Sequence, residues 1–256
     1  MIPLWSEQVR GDFDALPDTA IAVLPLGATE QHGPHLPFSV DSALTEAVLA
    51  RTETTARALQ LPTLSITKSD EHAAHAGTLT LSAETLLATL SDITASVARA
   101  GVRRLVYFNG HGGNTALLEV AVRAARIDHG LIAAHTSWLA FADLTGFDPA
   151  ALAHDLHAGD VETSAMLAAR PDLVRMEHAL NFTTRIATWE SAGHLTGLTG
   201  QPARPGWIID DLNPEGALGD AASATPNKGQ ELLDSAGARF ARWLEDFATF
   251  DVGVAE

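Results

Sequence analysis

Short apolar runs alternate along this chain with longer segments in which apolar residues recur every three or four positions. The runs over Ile21–Leu26 and Arg104–Phe108 are largely apolar, which is typical of strands buried on both faces of a parallel sheet. Leu61–Ile66 and Gly130–His135 are predicted as two further strands, with Pro62 restricted to a strand start or edge. The alternation predicts βα units around a largely parallel sheet.

Helices are predicted where the apolar spacing matches the helical turn. The clearest start is at Ser82, a favoured N-cap residue that is followed by Glu84 in the first turn, and Gly101 is expected to end that helix. Strands and helices together predict an α/β fold, a three-layer sandwich with a mostly parallel central sheet, in a single domain over residues 1–256. The predicted helices cover about 42–60, 82–100, 115–129, 161–169 and 229–247.

The segment from Asn181 to Thr225 breaks this regular pattern, because glycine and proline recur throughout it. Its apolar residues, including Trp189 and Trp207, argue against disorder, since disordered segments are poor in such side chains. We interpret it as a long functional or interface loop region.

Composition narrows the classes of partner. The formal net charge is −16, and Lys68 and Lys228 are the only lysines, which disfavours nucleic acid and anionic lipid as partners. No apolar run is long enough to cross a bilayer, and the N-terminal residues lack the basic flank and apolar stretch of an export signal. We therefore expect a cytoplasmic protein without membrane partners. Because the chain has no cysteine, any metal must be held by imidazole and carboxylate groups.

Histidines and carboxylates are concentrated where predicted strands end or helices begin. Glu30 and His32 follow the first strand, Asp41 comes shortly after them, His111 follows the Arg104–Phe108 strand, and Glu162 opens a helix. Ligands of open parallel sheets bind beyond the carboxyl ends of the strands, so these groups are expected to meet there. Their N and O donors suit a divalent cation, and a carboxylate such as Asp41 can bridge two ions.

Each of these residues also has a structural interpretation. Asp41 is a plausible helix N-cap, and Glu162 is a favourable charge in the first turn of a helix. The Gly110–Gly113 stretch could cradle a phosphate at a helix N-terminus, although it lacks the G-x-G-x-x-G arrangement of dinucleotide-binding loops. Most other histidines are interpreted as surface or hydrogen-bonded residues, with His72 and His75 the nearest to the site.

Taken together, the motifs resemble those of the creatininase, or creatinine amidohydrolase, family. Several separate motifs occur in the family's order over most of the chain, which makes the resemblance more specific than any one motif. They are residues 27–37 with Asp41, Glu71-His72 with 77–79, 109–114, 157–164, and 216–220 with 224–225 and Gly229.

The resemblance implies a creatininase-like fold with two divalent metal ions, Zn²⁺ first and Mn²⁺ or Fe²⁺ as alternatives. It further implies a homohexamer that hydrolyses a non-peptide C–N bond, a cyclic amide or formamide, in a small-molecule substrate. One ion would bind Glu30, Asp41 and His111, and the other His32, Asp41 and Glu162. The implied catalytic residues are His157, which would move protons, and Glu162; the implied substrate contacts are Trp138, His72, Gly112 and Gly113.

One departure from creatininase concerns the residues after His111. Gly112 and Gly113 stand where creatininase has a tyrosine and a metal-binding glutamate, so Glu162 is the expected carboxylate of the second metal. Trp138 matches one substrate-covering tryptophan of creatininase, but Ala153 lies near the place of the other, so creatinine is not the expected substrate. An alternative enzyme is a peptide-trimming metallopeptidase of the mycofactocin type. The alternatives outside catalysis are a catalytically silent metal-binding subunit and a metal-free nucleotide-binding module.

Overall fold

A computed structural model describes residues 1–198 and 200–253, and its centre is a parallel sheet of four strands in the order β2-β1-β3-β4. Leu26 pairs with Asn109, and Asn109 pairs with Ser137, so three of the strands end at the same level. The loops that leave these strands therefore share one edge of the sheet. The strands are β1 (Ile21–Leu26), β2 (Ala58–Gln60), β3 (Arg104–Asn109) and β4 (Ile132–Ser137).

Helices cover both faces of this sheet, and a small antiparallel pair, β5 (Asn181–Phe182) and β6 (Gly219–Asp220), lies outside it. The α-helices are α1 (Arg10–Asp14), α2 (Val40–Ala50), α3 (Ala83–Arg99), α4 (Thr115–His129), α5 (Pro149–Leu152), α6 (Asp160–Ala169), α7 (Arg185–Ser191), α8 (Ile209–Leu212) and α9 (Pro226–Phe247). Short 3₁₀ turns are Trp5–Glu7, Asp70–His72, Gly112–Asn114, Trp138–Phe141, Pro171–Leu173, Met176–His178 and Ala221–Ser223.

Alternate residues of the central strands enter different cores. Ile21 and Val23 of β1 pack with residues of α2, α6 and α9 in the larger core. Ala22 and Leu24 point the other way and pack with residues of α3 and α4. Since successive side chains of a strand face opposite sides, one apolar run supplies both layers. The three-layer α/β architecture with a parallel central sheet is confirmed.

Two of the predicted element boundaries were wrong around residues 50–66. The helix expected over 42–60 ends at Ala50, and residues 58–60 instead form β2. The strand expected at Leu61–Ile66 is not a regular strand, although Leu61 N and Leu64 N still donate to Val23 O and Pro25 O. Pro62 has no N–H, so the edge ladder cannot continue through it.

Most other predicted elements are confirmed within a few residues. The Ser82 hydroxyl accepts a hydrogen bond from Thr85 N, as an N-cap should, and α4 has the predicted bounds. The last strand of the sheet starts two residues later than expected, because Gly130 has a left-handed backbone (φ 67°) and caps α4.

The 181–225 segment contains more structure than the interpretation as a loop region implied. It holds α7, α8 and both strands of the small sheet. Residues of α7 and α8 pack with Leu218 in a separate apolar cluster that also includes Trp189 and Trp207. In the part of the chain that the structure describes, no helix is both long and apolar enough to span a membrane.

Candidate metal centre

The five predicted ligands converge at the carboxyl edge of the sheet. Glu30 and His32 lie in the loop after β1, Asp41 in the first turn of α2, His111 directly after β3, and Glu162 in the first turn of α6. Their donor atoms form groups within 4.8 Å of one another. These groups are Glu30–Asp41–His111, His32–Asp41–Glu162 and Glu30–His32–His157.

Several buried donor atoms of this cluster have no protein partner. Among the described residues, Glu30 Oε2, His32 Nε2 and Asp41 Oδ2 are buried and form no hydrogen bond. A buried polar atom without a hydrogen bond raises the free energy of the folded protein, so a bound group that pairs with these atoms would stabilise the site. Carboxylate oxygens and imidazole nitrogens are the donors that Zn²⁺ and Mn²⁺ accept, and the residues present therefore fit divalent cations.

Backbone carbonyl groups fix the tautomer of three imidazoles around the cluster. His32 Nδ1 donates to Glu30 O at 3.0 Å, His111 Nε2 donates to Lys68 O at 2.8 Å, and His157 Nε2 donates to Gln31 O at 2.8 Å. A carbonyl oxygen only accepts, so the hydrogen lies on the nitrogen that faces it. The other nitrogen of each ring faces the cluster and is the one that could bind an ion, which is the usual arrangement of metal-binding histidines.

Opposing charges dominate the electrostatics of the cluster. Burial lowers the pKa of His32, but Asp41 and Glu162 outweigh that effect and raise it to about 9. Burial also lowers the pKa of His111, and Glu30 with Asp41 overcomes this and raises it to about 10. Burial raises the pKa of Glu30, but the charge of His111 holds it well below its usual value.

For the remaining ionisable groups of the site, burial outweighs the neighbouring charges and sets the direction of the pKa shift. It raises the pKa of Glu162 to about 7 and, helped by the charge of Glu30, it also raises the pKa of Asp41. Burial lowers the pKa of His72 to about 4 and holds that of His157 well below its usual value. Near neutral pH, His72 and His157 are therefore uncharged rings beside charged ones.

The site includes a glutamine that the sequence interpretation did not single out. The Gln31 amide nitrogen donates to His72 Nδ1 at 2.7 Å and to Gly216 O at 2.9 Å, and its oxygen accepts from Gly33 N at 2.9 Å. Gly216 has φ 75°, and a Cβ there would clash with the Gln31 oxygen. The position of Gln31 between Glu30 and His32 was the signal available in the sequence.

His35 is a buried, hydrogen-bonded histidine, which agrees with its interpretation as a surface or hydrogen-bonded residue. Its Nε2 lies 2.8 Å from Thr163 Oγ1, and its ring stacks on Phe182. Thr163 lies next to Glu162 in α6, so this contact joins the loop after β1 to the helix that carries a predicted ligand.

Glu71 approaches the outer side of His111. Its Oε1 lies 3.6 Å from His111 Nε2, and its Oε2 lies 3.5 Å from Lys68 Nζ. A Cβ at Gly113 would clash with both Glu71 Oε1 and His111 Nε2, so only glycine leaves room for this carboxylate. Carboxylates behind a ligating histidine orient the ring and increase its basicity.

The predicted substrate contacts differ in their surroundings. His72 reaches the cluster, with Nε2 3.7 Å from Glu30 Oε1. Gly112 is exposed beside His111, and a Cβ there would meet only open space. Gly113 is half-buried against Glu71. Trp138, by contrast, is 3% exposed and belongs to the larger core, so its contact with substrate stays a prediction.

The site is tied to the 181–225 segment by side chains on both sides of its rim. His75 Nε2 lies 2.8 Å from Asp210 Oδ1 at the start of α8. His154 Nε2 lies 3.0 Å from Glu190 Oε2 in α7. The Gln31 contact to Gly216 joins that segment to the cluster itself.

The family model for creatininase, described as creatinine amidohydrolase, matches residues 7–244. The chain belongs to the creatininase family. This confirms the resemblance found in the motifs, and it places the chain among hydrolases, since the relatives below are named as an amidohydrolase and as peptidases.

Two relatives of this creatininase-family chain carry different activities in their names. It is 33% identical to the mycofactocin precursor peptide peptidase of Mycobacterium ulcerans (strain Agy99), over 94% of this chain and 93% of that protein. It is 36% identical to the creatinine amidohydrolase of Pseudomonas putida, over 63% of this chain and 68% of that protein. The peptidase similarity therefore extends over more of the chain.

Solved creatininase structures share the fold. The crystal structure of creatinine amidohydrolase (creatininase) superposes with a TM-score of 0.73 and 27% identity, over 97% of this chain and 98% of that one. A structure named creatininase Mn gives 0.72 with 25% identity, covering 98% and 100% of the two chains. A mutant creatininase of the Zn-Zn type gives 0.71 with 26% identity, covering 96% and 98%.

Proposed function

We propose that this chain is a metal-dependent amidohydrolase that uses two divalent ions to cleave an amide C–N bond with water. The observation that carries the proposal is the buried donor set at the carboxyl edge of the sheet. Two of its groups share Asp41, whose Oδ1 lies 3.3 Å from His32 Nε2 and whose Oδ2 lies 3.5 Å from His111 Nδ1. A shared carboxylate is the usual bridge of two-metal hydrolases, whose ions lie about 3.5–4 Å apart.

The residues are assigned to the two ions as the family resemblance implies. Glu30, Asp41 and His111 would hold one, and His32, Asp41 and Glu162 the other. When bound, such ions supply Lewis-acid activation of water and polarisation of an amide carbonyl. We propose Zn²⁺ first, with Mn²⁺ or Fe²⁺ as alternatives, because all three accept this N/O set.

His157 is proposed as the residue that moves protons. Its Nε2–H is held by Gln31 O, and its Nδ1 lone pair faces Glu30 Oε1 at 3.8 Å, beside the donor cluster. Because the ring is uncharged near neutral pH, Nδ1 can accept a proton and then pass it to the departing nitrogen. The Gln31 carbonyl keeps this ring in one orientation while it does so.

Two substrate classes follow from different observations. The motifs imply a non-peptide C–N bond in a small cyclic amide or formamide, with creatinine disfavoured because Ala153 lies near the place of creatininase's second substrate-covering tryptophan. The longer similarity to the mycofactocin precursor peptide peptidases favours a peptide bond. Both reactions need the same activated water and the same proton transfer, so the metal centre serves either.

The experiment is a metal assay coupled to an activity screen. The purified protein is stripped with chelator, reloaded with Zn²⁺, Mn²⁺ or Fe²⁺, and offered lactams, formamides, creatinine and C-terminal peptides in parallel. We expect about two ions per chain and hydrolysis that appears only after reloading. Full metal loading without hydrolysis of any panel member would support the silent-subunit alternative. Nucleotide affinity after exhaustive chelation would support the nucleotide-binding module.

The proposal includes a cytoplasmic homohexamer. Light scattering coupled to size-exclusion chromatography tests the assembly, with about six times 27.0 kDa expected for the hexamer. A monomer of unchanged activity would remove the hexamer from the proposal and leave the chemistry in place. Fractionation of the native host tests the compartment.

A further inference from the structure

Four imidazoles surround the carboxylate of Glu30. Its Oε1 lies 3.2 Å from His111 Nδ1, 3.7 Å from His72 Nε2 and 3.8 Å from His157 Nδ1. His32 completes the set, since donor atoms of Glu30, His32 and His157 lie within 4.8 Å of one another. The ring centroid of His157 lies 4.2 Å from that of His32 and 4.4 Å from that of His72, in tilted arrangements. In three of these rings a backbone carbonyl holds one N–H, so the nitrogen that faces the cluster is the one that could bind an ion.

The fourth ring, His72, has the tautomer that carries its hydrogen on the nitrogen facing the cluster. Gln31 fixes it, and backbone groups fix the orientation of the Gln31 amide: the oxygen accepts from Gly33 N, and the nitrogen donates to Gly216 O, each at 2.9 Å. The second hydrogen of that nitrogen then points at His72 Nδ1, 2.7 Å away. His72 Nδ1 must accept, so the hydrogen of this ring lies on Nε2.

His72 is therefore the ring that presents an N–H to the cluster. It belongs to none of the three metal-competent groups found among the described residues. Its Nε2 is 3.7 Å from Glu30 Oε1, which is longer than a hydrogen bond, so the N–H remains available to another oxygen. The ring is almost completely buried, and a donor in such a place interacts strongly with developing negative charge.

We infer that His72 donates its Nε2–H to the carbonyl oxygen of the bound amide and stabilises the oxyanion that forms there, with Gln31 as its positioning residue. The inference rests on the proposed function and adds a stabilising donor that the metal ligands do not supply. His72 keeps its proton throughout, and no bond to it is made or broken. Gly216 contributes to the same arrangement, because its lack of a side chain leaves room for the Gln31 amide.

The first test measures the tautomer without any turnover. Protein labelled with ¹⁵N-histidine is studied by long-range ¹H–¹⁵N NMR, metal-free and zinc-loaded, and the His72 signals are assigned from their loss in His72→Gln. We expect an uncharged ring with hydrogen on Nε2 in both states. Hydrogen on Nδ1 would overturn the inference. Gln31→Glu, which offers an acceptor to Nδ1, should shift the hydrogen to that atom.

The second test separates a donor from a residue that only orients Glu30. His72→Ala removes the N–H, His72→Gln keeps an amide N–H near the Nε2 position, and His154→Gln is a matched control at a histidine of the rim. We expect His72→Ala to keep its zinc, to lose about 10²–10³-fold in kcat with little change in KM, and to be partly rescued by His72→Gln. Lost zinc with normal kcat after resaturation would make His72 a positioning residue of Glu30 and overturn the inference.

A third readout remains informative if no amide in the screen is cleaved. Inorganic phosphate, a tetrahedral oxyanion, is titrated into the zinc-loaded protein by calorimetry. We expect His72→Ala to weaken phosphate binding at least fivefold, while His154→Gln leaves it unchanged. Equal phosphate affinity in wild type and His72→Ala would contradict the donor role. Failure of the screen alone would count against the proposed function and leave the tautomer and phosphate results to decide about His72.

Discussion

His32 Nε2 lies 3.3 Å from Asp41 Oδ1, yet no hydrogen bond satisfies that nitrogen. At the other end of the ring, Nδ1–H donates to Glu30 O, so Nε2 is the nitrogen that faces the carboxylate. The two buried polar atoms thus face each other without a hydrogen bond, and a cation between them would compensate both. The metal-binding proposal starts from this contact.

Asp41→Asn is expected to remove both ions, because Asp41 is the residue shared by the two proposed sites. The amide keeps the shape of the side chain but loses its charge and one acceptor. We expect metal affinity to fall by more than about 100-fold, beyond the 10–100-fold of outer-shell changes. Equilibrium dialysis with metal analysis measures it. Glu46→Gln, an exposed carboxylate on the same helix, is the control, and equal loss in both variants would contradict the bridging role.

His111→Ala and Glu162→Gln should each abolish turnover and reduce bound metal, since each removes a ligand of one ion. His157→Asn should instead keep its metal and slow the chemical step, because His157 is proposed to move protons. Metal content and single-turnover rates distinguish the two classes. Near-normal activity and metal content in either ligand variant would refute the assignment, and metal loss in His157→Asn would make that residue a ligand.

Metal binding should release protons and weaken as the pH falls. The pKa values of His32 and His111 are raised to about 9 and about 10 in the metal-free protein, so both rings carry an extra proton at pH 7.5. Each must lose it to bind an ion. Calorimetry in two buffers of different ionisation enthalpy should detect about two protons per two ions, and their absence would contradict the ligand roles.

The same two histidines make the stability of the chelated protein depend on pH. Their folded pKa values lie above the unfolded value of about 6.5. Their contribution is therefore fully present below about pH 6.5 and is lost as the pH rises through about 9–10. Urea unfolding should show a chelated protein that loses stability between pH 7 and 10, whereas the zinc-loaded protein loses less.

Gly216→Ala should disturb the site beyond its effect on the backbone. Gly216 has φ 75°, and its Cβ would push against the Gln31 amide. Gly101→Ala is the matched control, because Gly101 has φ 83° with nothing within 4 Å of its Cβ. Both should lose about 1–2 kcal/mol of unfolding free energy from left-handed strain. Only Gly216→Ala should also lower kcat, and equal activity in the two variants would separate Gln31 from catalysis.

Glu71→Gln should lower metal affinity about 10–100-fold, because Glu71 lies behind the ligating ring of His111. Asp70→Asn is the control, since Asp70 also pairs with Lys68 but is exposed. Titration of zinc against a competing chelator measures the difference. Identical affinities in the two variants would mean that Glu71 does not orient His111, which Lys68 O and the Ser69 hydroxyl also contact.

The layered fold and the converging motifs could be predicted because the residues that favour each strand or helix also have the apolar pattern that its place in the fold requires. β1, β3 and α4 combine long apolar patterns with clear ends, and Ser82 caps α3 as its chemistry indicates. Residues 50–66 could not be predicted well, since β2 exists through its pairing with β1 rather than through its own composition.

The candidate site was predictable as a set of residue types but not as an orientation of atoms. Glu30, His32, Asp41, His111 and Glu162 stand out by their chemistry after strands and at helix starts. Gln31 does not, because its role depends on a contact with Gly216, 185 positions away in sequence. The space at Gly113 that admits Glu71 is likewise a property of packing, which no local pattern reports.

The most direct measurement is anomalous diffraction from crystals of the zinc-loaded protein, recorded on both sides of the zinc edge. The account predicts two peaks that share Asp41, one bounded by Glu30 and His111 and the other by His32 and Glu162. No anomalous peak at Asp41, or a single ion bound elsewhere, would contradict the two-metal hydrolase.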